Sequence, residues 1–488
     1  MSESILILAK KPWVWLYAFG WIAIWIWLAT LGFPGPRLLD DVFYGGAAVH
    51  WAKTGVLENP WISDWLKVNG LLDHRFYIYP PLHFLVLGAW ARVFGISALS
   101  FQAFQICSLA SSSLLAAVFF LRTETRLLAL AAPVVLTAYL WDVGVRSETT
   151  AVVLLLGGCV LLLWRSRSAW FGSGLLLAAT CCASPVLGLY AIAIVLMMIY
   201  VLYSSLRPVE HLASRQSCYY FFAGFLVVSL IFVAALNREL LPFLRDFLHY
   251  RNLSTTTNTV SGNAYSYAFM LSFGVQWLKI PLITTAVLLP IIASLRKQDG
   301  AIGGISNWLC WALLLGSSAI VLSSVCSGHR LPTIELVSFP IIGLSLSNRT
   351  FRARRQAIQL LVCLMIIAAI PMVPLEAFTH NRPDKAEVAR VLEELSNTPH
   401  EKIFADDYAV WWLFDWNPPA DFSSYRLSYH HDEKKPPTSL KDGEIWIIQE
   451  SEIHPQPLRL FGRTFRSQPV NRNVFLILDA SSEKNYTR

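Results

Sequence analysis

Leu38-Leu39-Asp40-Asp41-Val42-Phe43-Tyr44 opens the stretch on which the reading of this chain turns, and His74-Arg75-Phe76-Tyr77-Ile78-Tyr79-Pro80-Pro81-Leu82 closes it. The stretch follows directly on an apolar run at 13–32. Two adjacent carboxylates therefore sit a few residues beyond a hydrophobic segment, in a loop rich in Trp, Tyr, His and Gly. A plain spacer needs neither the carboxylates nor the aromatics. Aspartate is a favoured helix N-cap and suits the positive end of a helix. Capping accounts for Asp41 as readily as chemistry does, but less readily for the pair.

Outward from this loop the chain is apolar. Of its 488 residues 55% are hydrophobic and 15% charged, with a mean hydropathy of +0.49, which makes lipid the solvent for most of it. The formal charge of +7 does not point to nucleic acid, because the basic residues fall mostly in short connectors between apolar runs. The eight cysteines, at 107, 159, 181, 182, 218, 310, 326 and 363, lie in or at the edges of apolar segments and imply neither a disulfide framework nor a zinc site. Lys10 and Lys11 precede the first apolar run and no small-residue cleavage site follows it, so it reads as an uncleaved span.

A spanning helix needs about 20 apolar residues. Eleven segments qualify: 13–32, 98–121, 126–144, 148–164, 169–183, 185–203, 219–236, 274–295, 304–325, 331–347 and 356–376. Cytoplasmic connectors carry the excess of Lys and Arg. Lys10, Lys11, Arg122, Arg126, Arg165, Arg167, Arg207, Arg215, Arg296, Lys297, Arg349, Arg352, Arg354 and Arg355 then fall on one side, with the N-terminus cytoplasmic. Segment 82–95 would break the alternation if it crossed. It is short, follows Pro80-Pro81 and contains His83 and Arg92, so it is expected to be re-entrant or interfacial. Arg146-Ser147-Glu148 and Ser184-Pro185 become tight outer turns.

The expected architecture is thus an α-helical polytopic membrane protein, residues 1–378, with an outer first loop at 33–79 and a small α/β domain outside the membrane at 379–488. In that domain Asp384–Leu395 reads as a helix, and Lys402–Ala405, Glu444–Gln449 and Val474–Asp479 read as strands. The outer loop 237–273 has an amphipathic first half, Glu239 to Arg251, and then a Thr/Asn/Ser/Gly stretch, Ser254–Asn263, that reads as a flap or as an untethered connector.

Four charged clusters fall on the outer face: Asp40-Asp41, His74-Arg75, Arg146-Ser147-Glu148 and Ser327-Gly328-His329-Arg330. Charges near bilayer depth are costly and usually face a watery cavity or pair with one another. Arginine suits a phosphate because its planar fork donates to two oxygens in parallel. Mutual pairing of Arg146 with Glu148, an interfacial anchor at Arg330 and a solvated pair at His74-Arg75 are the plainer readings.

The ordered set Asp-Asp-x-x-Tyr, Pro-Pro-Leu, Arg-x-Glu and Gly-His-Arg-Leu-Pro resembles the integral-membrane glycosyltransferases of GT-C type that use polyprenyl-phosphate sugars, over roughly residues 10–350. Within them it looks closest to the protein O-mannosyltransferase and lipid A aminoarabinose transferase branch. The resemblance implies an inverting transfer at the outer side of a plasma or inner membrane, with a lipid, glycan or protein acceptor. It makes Asp40, with Asp41 beside it, the catalytic carboxylate. Tyr44, Arg75, Arg146, Glu148, His329 and Arg330 fall to the donor phosphate and substrate. No cofactor is required, although Asp40, Asp41 and Glu148 could hold a divalent ion. The chain departs from the family at Tyr79, before Pro80-Pro81, and at Ala183-Ser184, where the family often carries a cation.

The chemistry matches these residue types. A carboxylate within reach of the acceptor hydroxyl can take its proton, and guanidinium groups offset charge on a departing phosphate. A transporter or flippase of lipid-linked saccharides is the competing class; against it, no internal repeat relates the two halves and the charges collect at one face. An inactive relative acting as a binding partner is a third. The topology is directly checkable: a reporter fused after Arg355 should read cytoplasmic and one after Pro383 external. Reporters on the same side would overturn the eleven-span arrangement, beginning with segment 82–95.

Overall fold

Helices dominate the computed structural model. It describes residues 12–30, 40–143, 146–164, 166–203, 215–256, 276–295, 303–323, 331–348 and 351–369, with 389–390, 393, 397 and the strand residues given below. In chain order the helices are α1 (Pro12–Thr30), α2 (Asp40–Thr54), α3 (Ser63–Val68), α4 (Leu82–Phe94), α5 (Ala98–Arg122), α6 (Arg126–Val143), α7 (Glu148–Leu162) and α8 (Arg167–Ala183). There follow α9 (Pro185–Tyr203), α10 (Arg215–Leu236), α11 (Leu240–Thr256), α12 (Gln276–Leu295), α13 (Gly303–Ser323), α14 (Leu331–Leu346) and α15 (Arg355–Ala369). Each expected span has its helix, and both expected turns are present, between α6 and α7 and at Ser184 between α8 and α9. An apolar run of this length leaves each backbone amide no partner but its own helix. Ser97 and Ser166 cap α5 and α8 by accepting from Ser100 N and Ala169 N, and Pro185 opens α9, where its missing N–H costs nothing.

Among the described residues two helical runs, Leu99–Arg122 and Gln216–Arg251, are long and apolar enough to cross a membrane, and nine shorter apolar helices accompany them. The outer faces of α1 and α10 present Leu16, Phe19, Leu230 and Ile231, each more than half exposed, a surface that water would penalise. Inside, one apolar core runs through the bundle from Trp25 on α1 to Ile366 on α15.

The ends of the bundle are set by specific contacts. At the C-terminal end of α5, Phe120 meets Phe339 of α14 at 4.7 Å between ring centroids, and Arg122 lies over the Trp164 ring just past α7. Glu124, in the turn after α5, pairs with Arg355 at 2.8 Å. The other end holds Phe104 of α5 against His83 of α4, with Thr150 of α7 bonded to that imidazole. The first turns of α4, α5 and α7 therefore share one end. Because the C-terminal half of α14 lies at the opposite end, its first residue, Leu331, belongs with them.

Beyond the bundle, a four-stranded sheet runs β2 (Ser423–Ser424), β1 (Lys402–Ala405), β3 (Glu444–Gln449), β6 (Phe475–Asp479), parallel except for β6; β4 (Leu458–Leu460) and β5 (Arg463–Phe465) form a separate antiparallel pair. The three strands expected from alternation are there; β2, β4 and β5, only two or three residues each, carry too short a pattern to read. β2 lies against the 3-10 turn Pro60–Ile62, which sets the sheet beside the first loop. The helix expected over 384–395 lies largely outside the described residues, as does the Thr/Asn/Ser/Gly stretch beyond Thr256.

α8 and α10 meet backbone to backbone. A Cβ on Gly174 would land on the Phe221 carbonyl oxygen, and one on Gly224 would land on that of Phe171. The two helices are locked by two glycines facing each other's carbonyls, the close approach that small residues permit between apolar helices. Alanine at either position should lower the thermal unfolding midpoint in detergent by an amount equivalent to about 1–3 kcal/mol. Gly20, with nothing within 4 Å of its built Cβ, should accept alanine without loss.

Candidate functional site

α2 begins at Asp40, so Asp40 and Asp41 occupy its first turn, where the helix N-terminus favours negative charge. One turn on, Tyr44 is 1% exposed, with its ring 4.9 Å from Tyr79, 5.6 Å from His83 and stacked on Phe84 at 5.6 Å. Tyr44 is part of the packed wall that anchors α2. The closing residues of the loop, Phe76 to Phe84, supply the other side of this wall.

His83 joins that wall to the second cluster. It has no exposed surface, and its Nδ1 lies 2.9 Å from Thr150 Oγ1. Thr150 is in the first turn of α7, directly after Arg146-Ser147-Glu148. There Ser147 Oγ donates to Glu148 Oε2 at 3.3 Å, and Arg146 Nε approaches the same oxygen at 3.8 Å. The contact is an ion pair longer than a hydrogen bond. Glu148 is 8% and Arg146 17% exposed at the side chain, so this pair lies just under the surface. The polarity of segment 82–95 marked His83 in the sequence, but only the fold reveals that it couples two motifs.

Arg75 stands apart from this cluster. Its Nη1 donates to Glu58 Oε1 at 3.2 Å, and His50 Nε2 approaches the other carboxylate oxygen at 3.5 Å. Burial pulls the His50 imidazole below its ordinary range, Glu58 opposing it. In the same loop the Lys67 ammonium, with His74 assisting, holds Asp73 below the usual carboxylate range. His329 and Arg330 lie outside the described residues, as do the side chains of Asp40 and Asp41; α14 starts at the residue after Arg330. Below the turn, an apolar cavity is lined by Val152, Leu155, Leu156 and Cys159 of α7, Leu313 of α13, and Leu336, Val337 and Pro340 of α14.

α11 was legible in the sequence as an amphipathic helix, but its contacts were not. Asn237, at φ +44, turns the chain after α10, a conformation Asn tolerates better than most residues. α11 then lies on the first loop: Asp246 accepts from Leu72 N, His249 Nε2 donates to Asn69 O at 2.9 Å, and the Tyr250 and Tyr79 hydroxyls are 3.1 Å apart. Phe243 packs edge-on to Tyr77.

No protein-family model and no curated protein matches the chain. The chain is similar to two solved structures of one protein. ArnT from Cupriavidus metallidurans bound to undecaprenyl phosphate aligns over 90% of this chain and 93% of that one, with 12% identity and a TM-score of 0.41. The same protein in the apo state aligns over 89% and 93%, with 13% identity and a TM-score of 0.38. Similarity at this level assigns no residue a role, and the site rests on its own geometry.

The His83–Thr150 joint can be tested without substrate. Thr150→Val removes the hydroxyl from a fully buried imidazole and should cost about 1–3 kcal/mol in unfolding measurements, whereas Thr150→Ser, which keeps it, should cost much less. Equal losses in the two variants would assign the effect to packing and not to the hydrogen bond.

Proposed function

We propose that the chain is an inverting glycosyltransferase, embedded in a membrane, that moves a sugar from a polyprenyl-phosphate donor to an acceptor hydroxyl at the outer face. One observation carries the reading: the starts of α2, α4, α7 and α14, which bear or follow Asp40-Asp41, Pro80-Pro81, Arg146-Ser147-Glu148 and His329-Arg330, gather at one end of the bundle. These helix starts are spread over nearly three hundred residues of sequence. The ordered motif set supports the transferase class.

In this reading Asp40 takes the proton of the acceptor hydroxyl as its oxygen attacks the anomeric carbon. The bond from that carbon to the phosphate oxygen breaks, and the polyprenyl phosphate leaves from the opposite face. Asp41 holds the charge of the pair at the helix start. Arg146 and Arg330 offset the phosphate charge, with His329 beside them. Arg75 is a reserve cation: its pair with Glu58 is about one third exposed on each side and worth less than about 1 kcal/mol, so a phosphate can compete for it. Glu148, already engaged by Ser147 and Arg146, sets the orientation of Arg146. No step here uses a divalent ion.

The test is release of free polyprenyl phosphate from a lipid-linked sugar by the purified protein. Asp40→Asn keeps size and hydrogen-bonding reach but cannot take the proton, and should cut turnover a hundredfold or more, about 2.7 kcal/mol on the barrier. Arg330→Ala should weaken donor use by about 1.5–3 kcal/mol, with partial rescue by lysine. Full activity in Asp40→Asn and Asp41→Asn would remove this loop from the catalytic centre. Movement of intact lipid-linked sugar across vesicles, without release of the phosphate, would turn the reading toward a transporter.

A further inference from the structure

α11 contains a carboxylate that the transfer chemistry does not use. Asp246 is 1% exposed, and aspartate is seldom so enclosed unless paired. Its Oδ2 accepts from the Leu72 backbone N–H at 3.0 Å, and its Oδ1 accepts from Arg245 Nε at 3.1 Å and Nη2 at 2.9 Å. The two partners differ in kind. Arg245 is its chain neighbour and is 62% exposed, so water screens that pair strongly. Leu72 lies 174 residues away, in the first loop, and its bond to Asp246 is half-buried. The bond to Leu72 therefore ties α11 to the loop, and Arg245 mainly balances the buried charge.

The tie extends toward the site. One turn along α11 from Asp246, Tyr250 meets the Tyr79 hydroxyl at 3.1 Å; the Tyr79 ring lies 4.9 Å from Tyr44, and Tyr44 sits one turn inside the helix that opens with Asp40 and Asp41. His249, donating to Asn69 O, adds a second main-chain contact. We propose that Asp246 is a positioning residue for the transfer reaction: by fixing α11 on the first loop it sets, through Tyr250 and Tyr79, where the first turn of α2 stands. The proposal rests on the glycosyltransferase reading for its kinetic consequence but not for the docking itself. Misplacement of a reacting group by about 1 Å can cost a hundredfold in rate, so a contact remote from the chemistry is able to matter.

The experiment has two arms, on the full-length protein in detergent or nanodiscs. Hydrogen exchange of peptides covering residues 69–79 reads the docking without any substrate. Asp246→Ala should speed exchange there; exchange equal to wild type overturns the tie. Steady-state release of polyprenyl phosphate reads the positioning. Asp246→Ala should lower kcat between about tenfold and a hundredfold with donor KM changed less than about threefold. Asp246→Asn, which keeps an oxygen for Leu72 N–H and gives up the charge shared with Arg245, should recover about half of the turnover or more. Should Asp246→Ala not fold, Tyr250→Phe decides, because it removes one hydroxyl and keeps the ring; it should lower kcat several-fold at unchanged KM. Wild-type kcat in folded Asp246→Ala and Tyr250→Phe overturns the proposal. A wild-type protein that releases no polyprenyl phosphate overturns the glycosyltransferase reading instead, and the exchange arm still judges the docking.

Discussion

An imidazole with no exposed surface, set among aromatic rings, has to satisfy its nitrogens from the protein, because no water reaches it. His83 does so at Nδ1 through Thr150, and that requirement fixes the start of α4 against the start of α7. Much of the site's geometry follows from this joint. The Pro80-Pro81 corner leads directly into α4, so the end of the first loop is held where His83 is held. Tyr44 then packs on the same imidazole and brings α2 to the same place. Apolar packing alone, which is non-directional, would let these helices slide past one another.

The rest of the bundle supplies the opposing anchor. Phe120 against Phe339 and Glu124 against Arg355 close the far end, and the glycine contact between α8 and α10 removes the freedom of those two helices to separate or turn. With both ends fixed, the short turn at Arg146-Ser147 has little latitude, and the ion pair with Glu148 stays longer than a hydrogen bond. Arg146 therefore keeps part of its hydrogen-bonding capacity directed elsewhere than at Glu148.

Helix positions were legible because each apolar run is bounded by something abrupt: the arginines at 122 and 126, the Ser184-Pro185 joint, the Arg146-Ser147-Glu148 turn. The candidate site was legible only as a set of short motifs. Which of them touch depends on contacts between residues far apart in the chain, and hydropathy carries no such information. Arg75 illustrates this: the sequence offers a loop cation, and the partner that occupies it, Glu58, is itself an ordinary loop acid 17 residues earlier. Tyr44 illustrates it too: the family resemblance implies a substrate contact there, and only the fold shows its ring enclosed by Tyr79, His83 and Phe84. Asp246 gave no signal, because a single acid on an amphipathic helix looks like part of a solvated face.

The bond between Asp246 and the Leu72 amide joins a side chain to a main-chain group, and this has a consequence for how the chain can vary. A backbone N–H is present whatever amino acid stands at 72, proline excepted. The bond itself therefore survives a change of side chain at 72, where Leu72 also packs on the apolar cluster of Tyr77, Leu236 and Phe243, and Arg245, whose head lies largely in water, is free to vary. Position 246 has no such latitude. Substitution tolerance across this contact should be lopsided: any apolar residue but proline on the loop, and far fewer choices on the helix.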